Sequence, residues 1–293
     1  MVIVIVGPTG VGKTKLSIEL AKALNGEVIN ADSTQVYKGM DIGTAKVTES
    51  ESDGIVHHLI DIKNIDEDYT VYDYQKDARK CIADIEERGK TPILVGGTGL
   101  YIKACLYNYE FDNEDNINYV DESLSNEELY DMLIKIDPKT DIHINNRKRV
   151  IRALNCYYKN GYIKHDDSDT LLYDAIFIGL TTDRDLLYDR INKRVDVMVS
   201  NGLLDEAKKI YDTNIRSKAV MTPICYKELF PYFEKEKALE ECLDDIKKSS
   251  RRYAKRQYTW NNNQFNVKYF NVDFDNFSNT VNEVLEYIKE NLK

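Results

Sequence analysis

The chain has 293 residues, of which 42% are hydrophobic and 31% charged, and its formal net charge is −10. This length suits one large domain or two smaller ones with a real hydrophobic core. No run approaches the roughly 20 apolar residues of a membrane span, and the apolar N-terminal stretch is too short for a signal peptide. The five scattered cysteines form no CxxC pair, which argues against structural zinc and fits a reducing compartment. We therefore predict a cytoplasmic protein without a membrane partner and, because no coiled coil or exposed apolar stripe is evident, a monomer.

A phosphate-loop motif follows the opening strand. Five apolar, mostly β-branched residues, Val2–Val6, are typical of a buried strand. A glycine-rich turn and then leucines at helical spacing come next, so the G-x-x-x-x-G-K-[ST] pattern stands in its usual strand–loop–helix context. Backbone N–H groups of such a loop bind phosphate oxygens, Lys13 can reach the outer phosphate, and the Thr14 hydroxyl can bind Mg²⁺. The pattern predicts a diphosphate or triphosphate site, against the alternative of an accidental glycine-rich turn. Its members are Gly7, Pro8, Thr9, Gly10, Val11, Gly12, Lys13 and Thr14.

The second predicted strand ends on a carboxylate. Residues 27–32 indicate a buried strand that finishes at Asp32. In open α/β sheets, residues at the carboxyl ends of the strands line the ligand crevice. We therefore expect Asp32 to face the same crevice as the phosphate loop. The alternative is that Asp32 is only a helix N-cap or turn residue.

The strand predicted at residues 91–95 runs into Gly96, Gly97 and Thr98. At this place an NTPase usually carries an aspartate that helps to hold Mg²⁺. The pattern therefore predicts a phosphate site without the usual apparatus for hydrolysis. Glycines at a strand end also allow a ligand to approach the backbone closely.

The composition changes between residues 106 and 171, which are polar, acidic at first, and then helical and basic. Strand character returns at residues 175–180, and a helix follows that carries Arg190 and Arg194 four residues apart on one face. We predict an α/β fold, a P-loop three-layer sandwich with a mostly parallel sheet and an inserted helical subdomain. The catalytic core would comprise residues 1–105 and 172–293, and the insertion residues 106–171.

Basic residues concentrate in two stretches although the chain as a whole is acidic. Net charge alone argues against a nucleic-acid partner. Whether the chain binds nucleic acid has to be judged from local clusters of basic residues. The first stretch spans residues 147–152 and the second residues 247–256, and the aromatic residues Tyr253, Tyr258 and Trp260 lie among and just after the cations of the second. Such a mixture suits a nucleic-acid surface, because phosphates attract the charges and bases stack on the rings. The alternative is a solvated helix face.

Together these motifs resemble those of the tRNA dimethylallyltransferases, also called tRNA isopentenyltransferases or the IPP transferase family. The phosphate loop by itself is common to many families. The more selective segments are Asp-Ser-x-Gln-x-Tyr at residues 32–37 and Gly-Gly-Thr-Gly-Leu-Tyr at residues 96–101. The resemblance covers essentially the whole chain and rests in addition on residues 38–46, 57–61, 149–154, 190–202 and 253–257.

The resemblance implies prenyl transfer to RNA. Members of this family transfer the dimethylallyl group of dimethylallyl diphosphate to N6 of adenosine-37, next to the anticodon of tRNA, and release diphosphate. The phosphate loop would then hold diphosphate as a leaving group, with Mg²⁺ as the cofactor on Thr14. Negative charge develops on the diphosphate as the C–O bond breaks, and Arg194, or Arg190 as second choice, would stabilise it. Asp32 would take the proton from N6.

The same resemblance implies the contacts to the tRNA. Thr98 would help to hold the adenine, which must leave the stacked anticodon loop before its amine can react. Asp32, Ser33, Thr34 and Gln35 would contact the adenine and its flanking bases. The phosphates of the anticodon stem would be bound by Arg147, Lys148, Arg149, Arg152, Arg252 and Arg256.

Three alternatives share part of this pattern. An adenylate isopentenyltransferase would perform the same chemistry on a free nucleotide, but it has less need of the helical insertion or of the basic residues 247–256. A nucleotide kinase-like phosphotransferase would share the phosphate loop and the arginine-rich helix but would need ATP. A phosphate-loop switch or binding module lacks support, because the sequence shows no base-specificity motif and no strand-end aspartate for Mg²⁺.

Overall fold

The computed structural model describes residues 1–111, 119–163 and 170–291 of the chain. The chain forms two compact units, one made of Met1–Tyr107 and Leu171–Lys293 and the other of Asn108–Thr170. Residues 112–118 and 164–169 of the predicted insertion lie outside the described residues.

The larger unit is built on a six-stranded sheet in which each neighbouring pair of strands is parallel. The strands are β1 (Val2–Val6), β2 (Gly26–Asn30), β3 (His57–His58), β4 (Thr91–Val95), β5 (Ala175–Thr181) and β6 (Lys268–Asn271). Their spatial order is β3-β2-β4-β1-β5-β6. The chain builds one half of the sheet on one side of β1 and then crosses to the other side, so the strand order reverses at β1. Ligands of open α/β sheets bind beyond the carboxyl ends of the strands at such a reversal.

Helices cover both faces of this sheet. The helices of the described ranges are α1 (Lys13–Ala23), α2 (Glu49–Ser52), α3 (Val71–Glu87), α4 (Gly99–Leu106), α5 (Asn126–Ile136), α6 (Arg147–Asn160), α7 (Arg184–Ser200), α8 (Leu203–Asp212), α9 (Lys218–Met221), α10 (Tyr226–Phe233), α11 (Leu239–Gln264) and α12 (Phe277–Asn291). None of these helices is both long and apolar enough to cross a membrane.

The core explains the continuous apolar run of β1. Val2, Val4 and Val6 pack with buried residues of α3, α4, α8 and α10 on one face. Ile3 and Ile5 pack with those of α1 and α12 on the other face. Parallel strands are covered on both faces by their crossover helices, so both sets of alternating side chains must be apolar. The predicted three-layer α/β fold is confirmed, and the sheet is parallel throughout.

The smaller unit has a core of its own between α5 and α6. Leu129 and Leu133 of α5 pack with Val150 and Leu154 of α6. The start of α5 is fixed by a capping box at Ser125, whose hydroxyl accepts a hydrogen bond from the backbone N–H of the third helical residue. These apolar residues recur at helical spacing, so each helix buries one apolar stripe against the other.

A buried carboxylate lies at the start of β2, away from the carboxyl ends of the strands. The Glu27 side chain is 3% exposed, and its oxygens accept hydrogen bonds from Lys90 Nζ at 2.7 Å and from the Arg88 guanidinium. His58 Nε2 lies 2.6 Å from the same carboxylate. The hydrogen bond from Arg88, together with those from Lys90 and His58, holds the pKa of Glu27 well below its usual range.

We expect this cluster to make the stability of the fold depend on pH. Because the pKa of Glu27 is lower in the folded than in the unfolded chain, its contribution is complete above about pH 4.3 and is lost as the pH falls. Glu27→Gln should reduce the free energy of unfolding at pH 7 by roughly 1–3 kcal/mol and flatten its slope below about pH 4.3. Urea denaturation from pH 3 to 7 measures both effects. Glu87→Gln, an exposed change on α3, is the control, and an equal slope in the two variants would contradict the prediction.

Candidate active site

A cavity of about 900 Å³ opens at the carboxyl ends of β1, β2 and β4, where the strand order reverses. Its walls come from segments that are far apart in the chain. They include the phosphate loop, Asp32, Gly96, Gly97, Arg190, Arg194, Tyr253 and Gln257. The cavity therefore brings most of the predicted catalytic residues to one place.

The phosphate loop has the backbone conformation that its glycines predict. Gly7, Gly10 and Gly12 have φ values of 143°, 81° and 106°, which other residues rarely adopt. Gly12 is the N-cap of α1, and the first turn of this helix has neither a side-chain cap nor an acidic residue. The N–H groups of that turn and the positive end of the helix are therefore available to an anion.

Lys13 is held inside this loop. Its Nζ donates hydrogen bonds to the carbonyl oxygens of Gly7 and Pro8 at 3.0 and 2.9 Å. Burial and the nearby positive charge of Arg194 lower the pKa of Lys13 to about 8, although the negative charge of Asp32 opposes the shift. The amine is thus a cation near neutral pH whose charge is poorly compensated by the protein. An anionic ligand would supply that compensation.

The binding of diphosphate should therefore weaken at high pH. The protonated amine binds the ligand, and the ligand raises the pKa of Lys13, so affinity is full below about pH 8 and falls by up to about tenfold per pH unit above it. Calorimetric titration with inorganic diphosphate at constant free Mg²⁺ measures this slope. Diphosphate itself also ionises in this range, so Lys13→Met serves as the reference. The prediction fails if this variant shows the same pH slope as the unmodified chain.

Two arginines of α7 contact the phosphate loop. Arg194 donates a hydrogen bond to Thr9 Oγ1 at 3.0 Å. Arg190 donates one from Nε to the carbonyl oxygen of Gly10 at 3.2 Å, and its guanidinium stacks 3.7 Å from the ring centre of Phe274. Burial lowers the pKa of both guanidinium groups, which remain cations because an arginine pKa lies far above neutrality. Arg194 makes fewer contacts with the protein than Arg190, since its partner is the hydroxyl of Thr9, a residue that also lines the cavity. Its guanidinium is therefore the more available of the two to an anionic ligand.

Asp32 follows β2 and presents one carboxylate oxygen to the cavity. Its Oδ1 accepts hydrogen bonds from the backbone N–H and the hydroxyl of Thr34, at 3.0 and 2.7 Å. Its Oδ2 accepts no hydrogen bond from any residue within 1–111, 119–163 and 170–291. The carboxylate is therefore fixed by one oxygen and free to accept a proton at the other.

Thr98 lies next to the turn that follows Asp32, because the ends of β2 and β4 come very close together, but it is not among the residues that line the cavity. A Cβ on Gly96 would lie 2.1 Å from the carbonyl oxygen of Ala31, so only glycine fits there. The Thr98 hydroxyl accepts a hydrogen bond from the Ser33 N–H at 3.0 Å and donates one to Ser33 Oγ at 3.2 Å. Because Gly96 has no side chain, the end of β4 can pack closely against the end of β2, and Thr98 therefore lies next to the Asp32 turn.

Two further residues of the cavity, Tyr253 and Gln257, come from α11. The sequence pointed to Tyr253 only as an aromatic among the basic residues and assigned Gln257 no role. The Gln257 side chain accepts a hydrogen bond from the backbone N–H of Thr9 at 2.8 Å and donates one to the carbonyl oxygen of Gly97 at 3.1 Å. Tyr253 donates its hydroxyl to the same Gly97 oxygen at 3.3 Å. Gln257, which is 4% exposed, therefore ties the phosphate loop to the end of β4. The only sequence signal was the motif at residues 253–257, whose first and last members lie on one helix face.

The predicted basic residues divide between the two units. On α11, Lys247 pairs with Asp196 at 2.6 Å and Arg251 donates to Asn192 at 2.6 Å, so these two cations bind α7. Arg252 and Arg256 are exposed. In the smaller unit Lys148, Arg149 and Arg152 are also exposed, whereas Arg147 donates to Asn126 Oδ1 and the Glu122 carbonyl oxygen.

Comparison with known proteins identifies the family. A family model described as IPP transferase matches residues 35–264. The chain belongs to the IPP transferase family. The resemblance drawn from its motifs is therefore confirmed.

Relatives match this IPP transferase over nearly its full length. The tRNA dimethylallyltransferase of Anoxybacillus flavithermus is 48% identical over 98% of this chain and 96% of its own. That of Bacillus anthracis is 47% identical over 100% of this chain and 96% of its own. The phosphate loop and Asp32, which precede residue 35, thus lie within the shared region.

Solved structures give the same result. The tRNA isopentenylpyrophosphate transferase of Bacillus halodurans has a TM-score of 0.77 and 48% identity and covers 99% of this chain and 95% of its own. The enzyme of Staphylococcus epidermidis has a TM-score of 0.76 and 44% identity, with 99% of both chains covered. A eukaryotic dimethylallyltransferase described as acting on tRNA has a TM-score of 0.77 at 33% identity, over 92% of this chain and 73% of its own.

Proposed function

We propose that this IPP transferase transfers the dimethylallyl group of dimethylallyl diphosphate to N6 of the adenosine next to the anticodon of tRNA and releases diphosphate. The observation that carries the proposal is that one cavity is lined both by a phosphate loop and by Asp32, whose Oδ2 is free within the described residues. The names of the relatives support it, since they are tRNA dimethylallyltransferases. The free-nucleotide and kinase alternatives are not favoured.

The donor would bind through its diphosphate. The open N–H groups at the start of α1 and the Lys13 amine would bind phosphate oxygens. Mg²⁺ fits the same place, because the Thr14 hydroxyl lines the cavity and binds no other group within the described part of the chain. Diphosphate oxygens and water would supply the remaining ligands. When bound, the ion adds positive charge next to the leaving group.

The transfer breaks the bond between the allylic carbon and the diphosphate oxygen and forms a bond from that carbon to N6. The electron pair of the broken bond stays on the diphosphate, where Lys13 and Arg194 stabilise it. N6 loses a proton, and Asp32 Oδ2 is positioned to take it. Thr98 would orient the adenine beside this carboxylate. The chain thus supplies an anion site and a base in one cavity.

The exposed cations support a polyanionic acceptor. Lys148, Arg149, Arg152, Arg252 and Arg256 are exposed and would bind the phosphates of the anticodon stem. Ser33, Thr34 and Gln35 would contact bases that flank the adenine. We expect the enzyme to act as a cytoplasmic monomer.

The decisive experiment incubates the protein with dimethylallyl diphosphate, Mg²⁺ and unmodified tRNA and analyses the nuclease-digested tRNA by mass spectrometry. We expect one adenosine beside the anticodon to gain a five-carbon unit. A tRNA with guanosine at that position is the control, because it lacks the N6 amine. A mass gain on AMP but not on tRNA would favour the adenylate enzyme, and phosphate transfer from ATP would favour the kinase.

A further inference from the structure

Glu206 of α8 binds three consecutive backbone N–H groups of a loop that is far away in the sequence. Its Oε2 accepts hydrogen bonds from the N–H groups of Asp41 and Ile42 at 3.0 and 2.9 Å, and its Oε1 accepts one from Gly43 at 2.9 Å. The Tyr226 hydroxyl donates to Oε1 at 2.8 Å. A carboxylate that accepts four hydrogen bonds fixes its partners strongly, because bonds to a charged acceptor are stronger than neutral ones.

The loop concerned, residues 41–46, has little freedom. A Cβ on Gly43 would lie 2.7 Å from the Tyr226 hydroxyl, so this position needs glycine. Ala45 has a φ of 48°, which is unfavourable for a residue with a side chain. The Lys46 amine donates to the carbonyl oxygen of Tyr37 at 2.9 Å and pairs with the carboxylates of Asp41 and Asp61. A strained backbone of this kind persists only when surrounding groups hold it.

The loop in turn holds the segment that carries the base. The Gln35 side chain donates hydrogen bonds from Nε2 to the carbonyl oxygens of Thr44 and Ala45, at 3.1 and 3.3 Å. Gln35 follows directly on the turn in which Thr34 binds Asp32 Oδ1. Gln35, Thr44 and Ala45 all line the cavity. A continuous series of contacts therefore runs from Glu206 to the Asp32 turn.

We infer that Glu206 is a positioning residue for the acceptor side of the active site: its carboxylate fixes the loop 41–46, and the loop fixes Gln35 and the Asp32 turn. Glu206 touches neither the phosphate loop nor Lys13 or Arg194. It therefore acts on the alignment of Asp32 with the adenine and leaves diphosphate binding alone. Burial and the negative charge of Glu206 raise the pKa of Tyr226, so the hydroxyl remains a donor. This inference rests on the proposed function.

The test compares Glu206→Ala with Tyr226→Phe, a milder variant that removes a single donor. Asp205→Asn, an exposed change on the same helix, is the matched control. In Glu206→Ala we expect kcat for tRNA prenylation to fall roughly 10- to 100-fold, since a misplacement near 1 Å has that effect. The Kd for inorganic diphosphate and the KM for dimethylallyl diphosphate should change less than about twofold, and Tyr226→Phe should show a smaller loss of kcat in the same direction.

Hydrogen exchange gives a readout that does not require activity. Amides of residues 33–46 should exchange faster in Glu206→Ala, while those of the phosphate loop exchange at the wild-type rate. Unchanged exchange at residues 33–46 would overturn the inference, as would wild-type kcat in folded Glu206→Ala or a loss of kcat matched by a loss of diphosphate affinity. If the wild-type chain prenylates no tRNA, the proposed function fails, and exchange alone then decides whether the contacts from Glu206 hold the Asp32 turn.

Discussion

Asp32→Asn is expected to lower the turnover of tRNA prenylation by roughly 10²- to 10⁴-fold, the range over which a general base contributes. The amide oxygen can still accept the hydrogen bonds that Thr34 donates, so the turn keeps its shape, but the other position can no longer take a proton. Diphosphate affinity should not fall, because Asp32 makes no contact with the loop N–H groups and the substitution removes a negative charge from the cavity that the anion enters. Single-turnover kinetics and calorimetric titration with diphosphate measure the two effects separately.

The control for this prediction is Asp66→Asn, an exposed carboxylate replaced in the same way. It should leave turnover and diphosphate affinity unchanged. Near-normal turnover of Asp32→Asn would show that another group, or water, removes the N6 proton. A loss of diphosphate affinity equal to the loss of turnover would show that Asp32 serves the donor site instead.

Arg194→Gln should lower kcat by about 10²- to 10³-fold, the usual effect of removing one donor that stabilises developing negative charge. Arg194 contacts Thr9 of the phosphate loop and lines the cavity, so its charge lies close to the leaving diphosphate. Glutamine removes the charge and keeps an uncharged hydrogen-bond donor on a shorter side chain. Steady-state kinetics at saturating dimethylallyl diphosphate give the expected loss.

Two other arginines of α7 sharpen this prediction. Arg184→Gln removes the same charge from an exposed site at the start of the helix and should leave kcat unchanged. Arg190→Gln should cost less than Arg194→Gln, because Arg190 is bound to the Gly10 carbonyl oxygen and stacked on Phe274. If Arg190→Gln shows the larger loss of kcat, Arg190 rather than Arg194 is the main group that stabilises the leaving diphosphate.

The phosphate loop, Asp32 and Thr98, which the sequence predicted, share one property: each lies in a short segment whose conformation is set locally. Val2–Val6 is a continuous β-branched run, and the glycines after it permit the positive φ values that the loop needs. Asp32 and Thr98 each follow a predicted strand, and the carboxyl ends of parallel strands share one edge of the sheet. The order of the segments was therefore sufficient to bring the phosphate loop and Asp32 to one cavity and Thr98 next to the Asp32 turn.

Gln257 and Glu206 could not be found in this way. Gln257 binds Thr9, which is 248 positions away, and Glu206 binds Ile42, which is 164 positions away. In the sequence each is one polar residue on an amphipathic helix, where a solvated side chain is the ordinary outcome. Which polar residue of a helix faces a cavity depends on how that helix packs on the sheet, and hydrophobic periodicity does not specify that arrangement for a single side chain.

The sequence by itself determined the parallel α/β core, the phosphate loop and the family, because these follow from local periodicity, glycine spacing and motifs. Only the tertiary structure decided which basic residues of α11 are exposed, since Lys247 and Arg251 bind α7 whereas Arg252 and Arg256 do not. It also decided that the loop 41–46, polar and without periodicity in the sequence, is held by Glu206, Gln35 and Lys46. The physical reason is that hydrogen bonds between distant segments depend on side-chain positions within about 3 Å, which chain order alone does not fix.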